Sequence, residues 1–273
     1  MVGMLAPAWS AGELAETIFA VEDDLLGLGC RRERLSFGEA TIDAAHPSIY
    51  DVNSLRAVRG KPTWLELESG FSLIQRGSGC RHRRAVARDP ATVRHLDELL
   101  LPRSFQRQVC VSMALTGPAP WRPVPEELLV HVVGADDTSL LEAVARCQDR
   151  VRRDEPWYAP DVSAQMDEMA ERQMREGGAQ FVAAVDRWGT VAGALLLYCS
   201  GGCGFIADVG TPPQMRRKGI ASALVAAAAA VARERGCTVV GLTARRDDRP
   251  RHLYARLGFE VVGESVDWLR GAT

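Results

Sequence analysis

The segment Arg216-Arg217-Lys218-Gly219-Ile220-Ala221-Ser222 gathers three cations and a glycine just ahead of an alanine-rich run, LVAAAAAVA. The first turn of a helix offers unbonded backbone N–H groups and the positive end of the macrodipole, so an anion placed there gains from both. Arg216, Arg217 and Lys218 add mobile charge at that point. Gly219 omits a side chain where a bulky anion must come close to the backbone, and Ala221 keeps the next exposed position small. The chemistry this suits is the holding of phosphate oxygens. A cationic run before a helix also serves simply as a solvated turn, so context has to decide.

The elements around the segment supply that context. LLVHVV (128–133) reads as a strand, and DDTSLLEAVARCQDRV (136–151) as a helix opening on capping residues. VSAQMDEMAERQMREGG (162–178) reads as a helix with a Met-lined core face. QFVAAVD and TVAGALLLYC, split by RWG, read as a hairpin, and GFIADVGT (204–211) as the strand leading into the charged turn. A long helix then runs to Arg235, followed by the strand GCTVVGLTA, the short helix RPRHLYARLG and the strand FEVVGESVDWL. The order β-α-α-β-β-β-α-β-α-β makes an α/β chain with a mixed sheet and helices on its faces. It is not the strict βαβ alternation of a dinucleotide fold.

Three features in register now resemble the acetyl-CoA signature of the GNAT N-acetyltransferase superfamily. Its R/Q-x-x-G-x-G/A motif stands here as Arg216 to Ala221, with Thr211-Pro212-Pro213 at the place of the strand-ending proline step. Leu253-Tyr254 and Gly258-Phe259 match the downstream helix and turn. The resemblance covers roughly residues 128–268, and the element order agrees with it. Two positions depart from the pattern: Asp247 stands where the family often has Asn, and Pro250 where it often has Ala. An aspartate near a polyphosphate is mildly unfavourable unless it points away or pairs with Arg245 or Arg249.

The resemblance implies acyl transfer from acetyl-CoA to the primary amine of a small molecule, by direct attack. It implies that the cofactor rests on the free backbone of Val209, Gly210 and Thr211 and on the turn Arg216, Arg217, Lys218, Gly219, Ile220, Ala221 and Ser222, with the Val209 N–H donating to the thioester oxygen. Tyr254 is the expected acid: an unperturbed phenol titrates at about 10, near an alkyl thiol, so it stays protonated at neutral pH yet can protonate a departing thiolate. Asp208, next to Val209, is the candidate base, directly or through water. Tyr254 also suits an amphipathic core position, and Asp208 a solvated strand end.

The Pro-rich stretch 121–127, within TGPAPWRPVPEE, reads as a linker between residues 1–120 and 128–273. In the first part, helical patterns lie near 11–27, 62–76 and 90–101, and strand patterns near 36–42, 81–87 and 107–115. QRGSG (75–79) trails a helix and reads as its stop. With no R-x-x-G-x-A signature, this part resembles a degenerate GNAT-like domain, and the whole a tandem GNAT protein of actinobacterial type. It is expected to wall the acceptor pocket, with Tyr50, Asp51, Asn53, Trp64 and His82 as candidates that also suit structural positions.

The net charge of −2 gives no general reason to expect nucleic acid as partner. The basic cluster CRHRRAVAR (80–88) reads as a solvated strand face. No apolar run approaches the length of about 18–20 residues that spans a bilayer, and the start MVGMLAPAWSAGEL lacks the basic region of a signal peptide. Seven scattered cysteines and isolated histidines point to reduced packing thiols in a cytoplasmic protein and to no metal; a monomer or homodimer is expected. Two other readings belong to other classes: a transferase of the same fold that uses aminoacyl-tRNA and the 80–88 cluster, and a non-catalytic CoA-binding sensor.

Overall fold

The computed structural model describes residues 9–156 and 158–271; most of the N-terminal stretch MVGMLAPAWSAGEL lies outside them. The first half runs α1 (Ala11–Gly27), β1 (Arg31–Leu35), β2 (Gly38–Ile42), β3 (Ser54–Val58), α2 (Trp64–Ser78), β4 (Arg83–Ala87), α3 (Pro90–Leu100) and β5 (Gln106–Leu115). The second runs β6 (Leu128–Val133), α4 (Thr138–Arg152), α5 (Pro160–Gly177), β7 (Gln180–Asp186), β8 (Val191–Ser200), β9 (Cys203–Gly210), α6 (Ile220–Glu234), β10 (Val239–Arg245), α7 (Pro250–Arg256) and β11 (Glu260–Arg270). The helix starts follow from local chemistry. Ser10 with Glu13 and Thr63 with Glu66 form capping boxes, and Asp89 caps α3. Gly79, left-handed at φ 76°, ends α2, as the QRGSG stretch suggests.

All the strands join one sheet in the order β1-β2-β3-β4-β11-β5-β10-β9-β8-β7-β6. Pairs β3–β4 and β9–β10 are parallel and the others antiparallel. Each half contributes the same run: a helix, a three-stranded meander, a helix, a parallel strand, a helix and an antiparallel strand. The last strand of each run sits inside the other half. β11 lies between β4 and β5, and β5 lies between β11 and β10.

Two strands escape the sequence patterns. β1, RRERL, is an edge strand whose arginines and glutamate stay in solvent, with Arg32 on Glu39 at 2.6 Å, so it carries no apolar alternation. β3 is five residues long and mostly buried, with Arg56 breaking its apolar run.

Alternation along β5 assigns the two faces. Val111, Met113 and Leu115 pack with α6 on one face, and Ala114 packs with α1, α4 and α5 residues on the other. Trp268 of β11, fully buried, belongs to the core formed with α2 and α3, and its indole N–H donates to Asp97 at 2.9 Å. α6 lies close on the sheet because its residues are small: a Cβ on Gly204 of β9 would strike the Ala232 methyl.

Apart from the exposed Arg81, the 80–88 cluster is not a solvated face. Arg83 binds Glu68 at 2.7 Å, Arg84 spans Asp51 at 2.5 Å and Asp267 at 2.6 Å, and Arg88 binds Asp23 at 2.8 Å, while His82 is buried. β4 is an interior strand, so its charges turn toward acids from other elements. All seven cysteines are free, and no helix among the described residues is long and apolar enough to cross a membrane.

Polar pins tie α5 and β8 to the first half. Arg172 of α5 donates to Asp43 at 2.6 Å, and the same carboxylate meets His46 Nδ1 at 2.8 Å. Tyr198 of β8 donates to Asp24 at 2.7 Å. Burial works to raise the Asp43 pKa, but the hydrogen bonds from Arg172 and His46 outweigh it and hold it below the usual range. A depressed carboxylate pKa contributes stability that is complete above about pH 4 and is lost as pH falls through the lowered folded value. Asp43→Asn is therefore expected to cost about 3 kcal/mol at pH 7, since it leaves Arg172 with a half-made site. Urea denaturation at pH 7 and at acid pH checks this; the variant and the parent should converge on acidification.

Candidate functional site

The site starts where β9 leaves its neighbours. β8 and β9 are joined by a tight turn through Gly201 and Gly202, both at positive φ, which sets the register Ser200↔Cys203. That register holds to Leu196↔Ala207 and then shifts, so that Ala194 faces Gly210. The extra residue is a bulge, and Asp208 within it adopts φ 51°. On the other side, β9 pairs with β10 only from Cys203↔Val239 to Ile206↔Leu242. Beyond that point β10 follows β5, through Thr243↔Ser112 to Arg245↔Cys110. Ala207 to Gly210 thus have no partner on the β10 side, and the sheet opens there in a V.

The chain turns directly from this opening into α6. Pro213–Met215 make one turn of 3-10 helix, Arg217 takes φ 63°, and Gly219 takes φ 83° immediately before Ile220. No side chain caps α6, so its first N–H groups are unclaimed by protein. A Cβ built on Gly219 would meet nothing within 4 Å, and the Thr211 Oγ1 is buried without a partner. The equivalent helix of the first half, α2, is closed instead: Glu66 places its carboxylate on the Thr63 N–H at 2.7 Å. An open Gly219, bare N–H groups and an orphaned hydroxyl fit an anionic cofactor whose arm lies along the V.

The residues singled out in the charged turn do not all behave alike. Arg217 and Lys218 are exposed with no carboxylate partner among the described residues, while Arg216 binds Asp154 at 2.6 Å and the Thr211 carbonyl at 3.1 Å. Ile220 points into the core, filling the notch at Gly193, so only its backbone is available. Ala221 and Ser222 are half-buried on the first turn. Asp247 is exposed and pairs with neither Arg245 nor Arg249.

Tyr254 lies on α7 and is 7% exposed, with its ring edge-on to Phe259 at 6.2 Å. Its hydroxyl makes no hydrogen bond to the described residues. Burial, with help from Asp248, pushes its pKa up to about 12. Asp208 is exposed at the bulge, with protein packed around it. That surrounding mass raises its pKa; Arg152 opposes the shift, and Asp51 and Asp167 reinforce it. Its backbone carbonyl accepts from Gln148 Nε2 at 2.8 Å.

Of the first-half candidates, only Asp51 acts on the Asp208 pKa, and its carboxylate binds Arg84 at 2.5 Å. Asn53 is buried in structural bonds to the Asp43 N–H and the His46 and Ile49 carbonyls, and His82 meets the Asn53 carbonyl at 3.0 Å. Tyr50 packs edge-on to His82. Trp64 lies on the α2 face of the sheet under Arg103, away from the opening. Gln148, which props the bulge and is 3% exposed, escaped notice in the sequence; a glutamine on the helix stripe of Val144, Cys147 and Val151 is the signal that could have found it.

Residues 146–259 match the model of the acetyltransferase (GNAT) family. The described chain resembles, over 90% of its length and 96% of the other, a conserved protein of unknown function from Staphylococcus epidermidis, at TM-score 0.68 and 14% identity. It resembles a GCN5-related N-acetyltransferase from Kribbella flavida over 96% of both chains, at TM-score 0.64 and 18% identity. A tandem GNAT protein from the clavulanic acid biosynthesis pathway matches over 97% of both chains, at TM-score 0.56 and 14% identity. A search of curated proteins finds no match. The fold and the opened strand pair define a GNAT domain in the second half. The family match thus lies within the second half, and the fold of the whole chain resembles that of a tandem GNAT protein.

Proposed function

We propose that the protein transfers an acetyl group from acetyl-CoA to the amine of a small molecule, at one site, in the second half. The observation that carries this reading is the opened β9–β10 pair leading straight into an uncapped α6 through a left-handed Gly219. Acetyl-CoA supplies a thioester-activated acetyl group. The N–H groups of the α6 first turn, with Arg217 and Lys218 nearby, hold its phosphates, and the free backbone of Val209, Gly210 and Thr211 lines its arm. The Val209 N–H donates to the thioester oxygen. Asp208, its pKa raised toward that of a useful base, takes the proton the amine nitrogen loses, directly or through water. Tyr254, kept protonated by burial, gives its hydroxyl proton to the sulfur.

The first half is cofactor-free in this reading, because the Thr63–Glu66 capping box occupies its helix start with a carboxylate. A tRNA-dependent reaction draws little support from the 80–88 cluster, since Arg83, Arg84 and Arg88 are already paired with Glu68, Asp51, Asp267 and Asp23.

The test is binding. Acetyl-CoA at 100 times its Kd is expected to stabilise the protein by about 2.7 kcal/mol in thermal denaturation. Ala221→Glu should abolish that shift while the protein stays folded, since a glutamate suits the first turn of a helix but occupies the place of the anion. No shift in the parent protein would sink the reading. A shift without turnover over a broad amine panel would favour the sensor.

A further inference from the structure

β9 loses its register with β8 at one place. Between the pairs Leu196↔Ala207 and Ala194↔Gly210, Asp208 and Val209 together face the single residue Leu195, and neither has a partner on the β10 side. Asp208 holds φ 51°, a left-handed conformation that persists in a residue with a Cβ when the surroundings impose it. Gln148 of α4 is the group that does so here: its Nε2 donates to the Asp208 carbonyl at 2.8 Å. The carbonyl is thereby turned toward α4 rather than along a strand ladder.

The space around Gln148 is shaped for this bond. A Cβ on Gly210 would strike Gln148 Oε1, so the glycine leaves the room that the amide fills. Gln148 is 3% exposed, on the stripe that carries the buried Val144 and Cys147. An apolar side chain of the same length would pack there at lower cost, because a buried amide is expensive unless its hydrogen bond repays the desolvation. The bond to Asp208 is the one its side chain makes among the described residues.

The peptide group joining Asp208 to Val209 is trans and planar, so its C=O and its N–H point in opposite directions. Holding the carbonyl on α4 therefore holds the Val209 N–H pointing away from α4. A hydrogen bond accepted by the carbonyl also polarises the amide and strengthens its N–H as a donor. We propose that Gln148 is a positioning residue for the transfer: through this one peptide group it aims and strengthens the Val209 N–H as the donor to the oxyanion. The proposal rests on the acetyl-transfer reading, in which that N–H meets the thioester oxygen. The amine nitrogen bonds to the thioester carbon and gives its proton to Asp208. The charge that collects on the oxygen is met by the Val209 N–H. The C–S bond then breaks, and the thiolate takes its proton from Tyr254.

The experiment uses Gln148→Met, similar in length and without a donor. Its kcat is expected to fall by roughly 10- to 100-fold, up to the effect of losing an oxyanion donor, while the acetyl-CoA thermal shift and KM stay parental. Glu142→Gln, on the exposed side of α4, changes none of these. A second readout needs no turnover. In isotope-labelled parent protein the Val209 amide proton resonance is expected to move downfield with acetyl-CoA and not with CoA, which lacks the thioester oxygen; in Gln148→Met that difference should vanish. Parental kcat in Gln148→Met overturns the proposal and leaves the transfer reading standing. So does a Val209 amide that fails to distinguish the two ligands in the parent, or that distinguishes them equally well in the variant. If Gln148→Met does not fold, Gln148→Asn, whose amide stops one methylene short of the carbonyl, takes its place with the same expectations. If acetyl-CoA binds but no amine reacts, the transfer reading fails and the Val209 resonance alone decides. Absence of acetyl-CoA binding sinks both.

Discussion

Replacing Tyr254 by Phe is expected to lower kcat by about 100-fold or more and to leave the acetyl-CoA thermal shift unchanged. The ring stays in place, since it packs among Leu253, Leu257 and Phe259 by apolar contact and its hydroxyl bonds to no described residue. What leaves is one proton donor. The pH profile adds a second readout. With Tyr254 pushed up to about 12, the phenol remains protonated through the whole usable range, so kcat/KM should show no falling limb from it below about pH 11. Asp208 acts in the opposite sense: as a base it works deprotonated, its pKa is raised, and kcat/KM should climb as pH rises through that raised value. Asp208→Asn should flatten that climb. A Tyr254→Phe enzyme with parental kcat would remove Tyr254 from the chemistry and leave it a packing residue.

Neither half is expected to fold without the other. A chain ending before β11 loses the strand between β4 and β5 and, with Trp268, the largest side chain of the first half's core. Residues 128–273 alone lack β5, which bonds to β10 along six residue pairs and fills the gap to β11. Truncating Trp268 to Ala alone should cost about 4 kcal/mol. Loss of a whole interior strand exceeds the roughly 5–15 kcal/mol that holds a typical domain together. Circular dichroism and denaturant titration of the separate pieces check this: a cooperative transition from either alone would contradict the strand exchange, while recovery of a cooperative transition on mixing would agree with it.

Much of the fold is legible from local chemistry. Ser10, Thr63 and Asp89 announce their helices because a capping side chain acts within three residues. The hairpin, the Met-lined α5 and the alanines of α6 follow from period and side-chain size, and Met169, Met174 and Ala232 are buried as those patterns imply. The turn from Thr211 to Ser222 is contiguous, so its chemistry is written in one stretch. β1 escapes because an edge strand has no need of buried residues, and β3 because an arginine interrupts its five positions.

Sequence alone determined everything whose causes lie within about one turn or one strand: the caps, the periods, the phosphate-suited turn and the phenol of Tyr254. Tertiary structure decided which strands are neighbours. The alternation of residues 106–115 says that one face is buried but not beside whom, because the partner of a strand is chosen by non-local packing. That choice placed β5 between β10 and β11. It also turned Arg83, Arg84 and Arg88 from an apparent solvent face into paired charges.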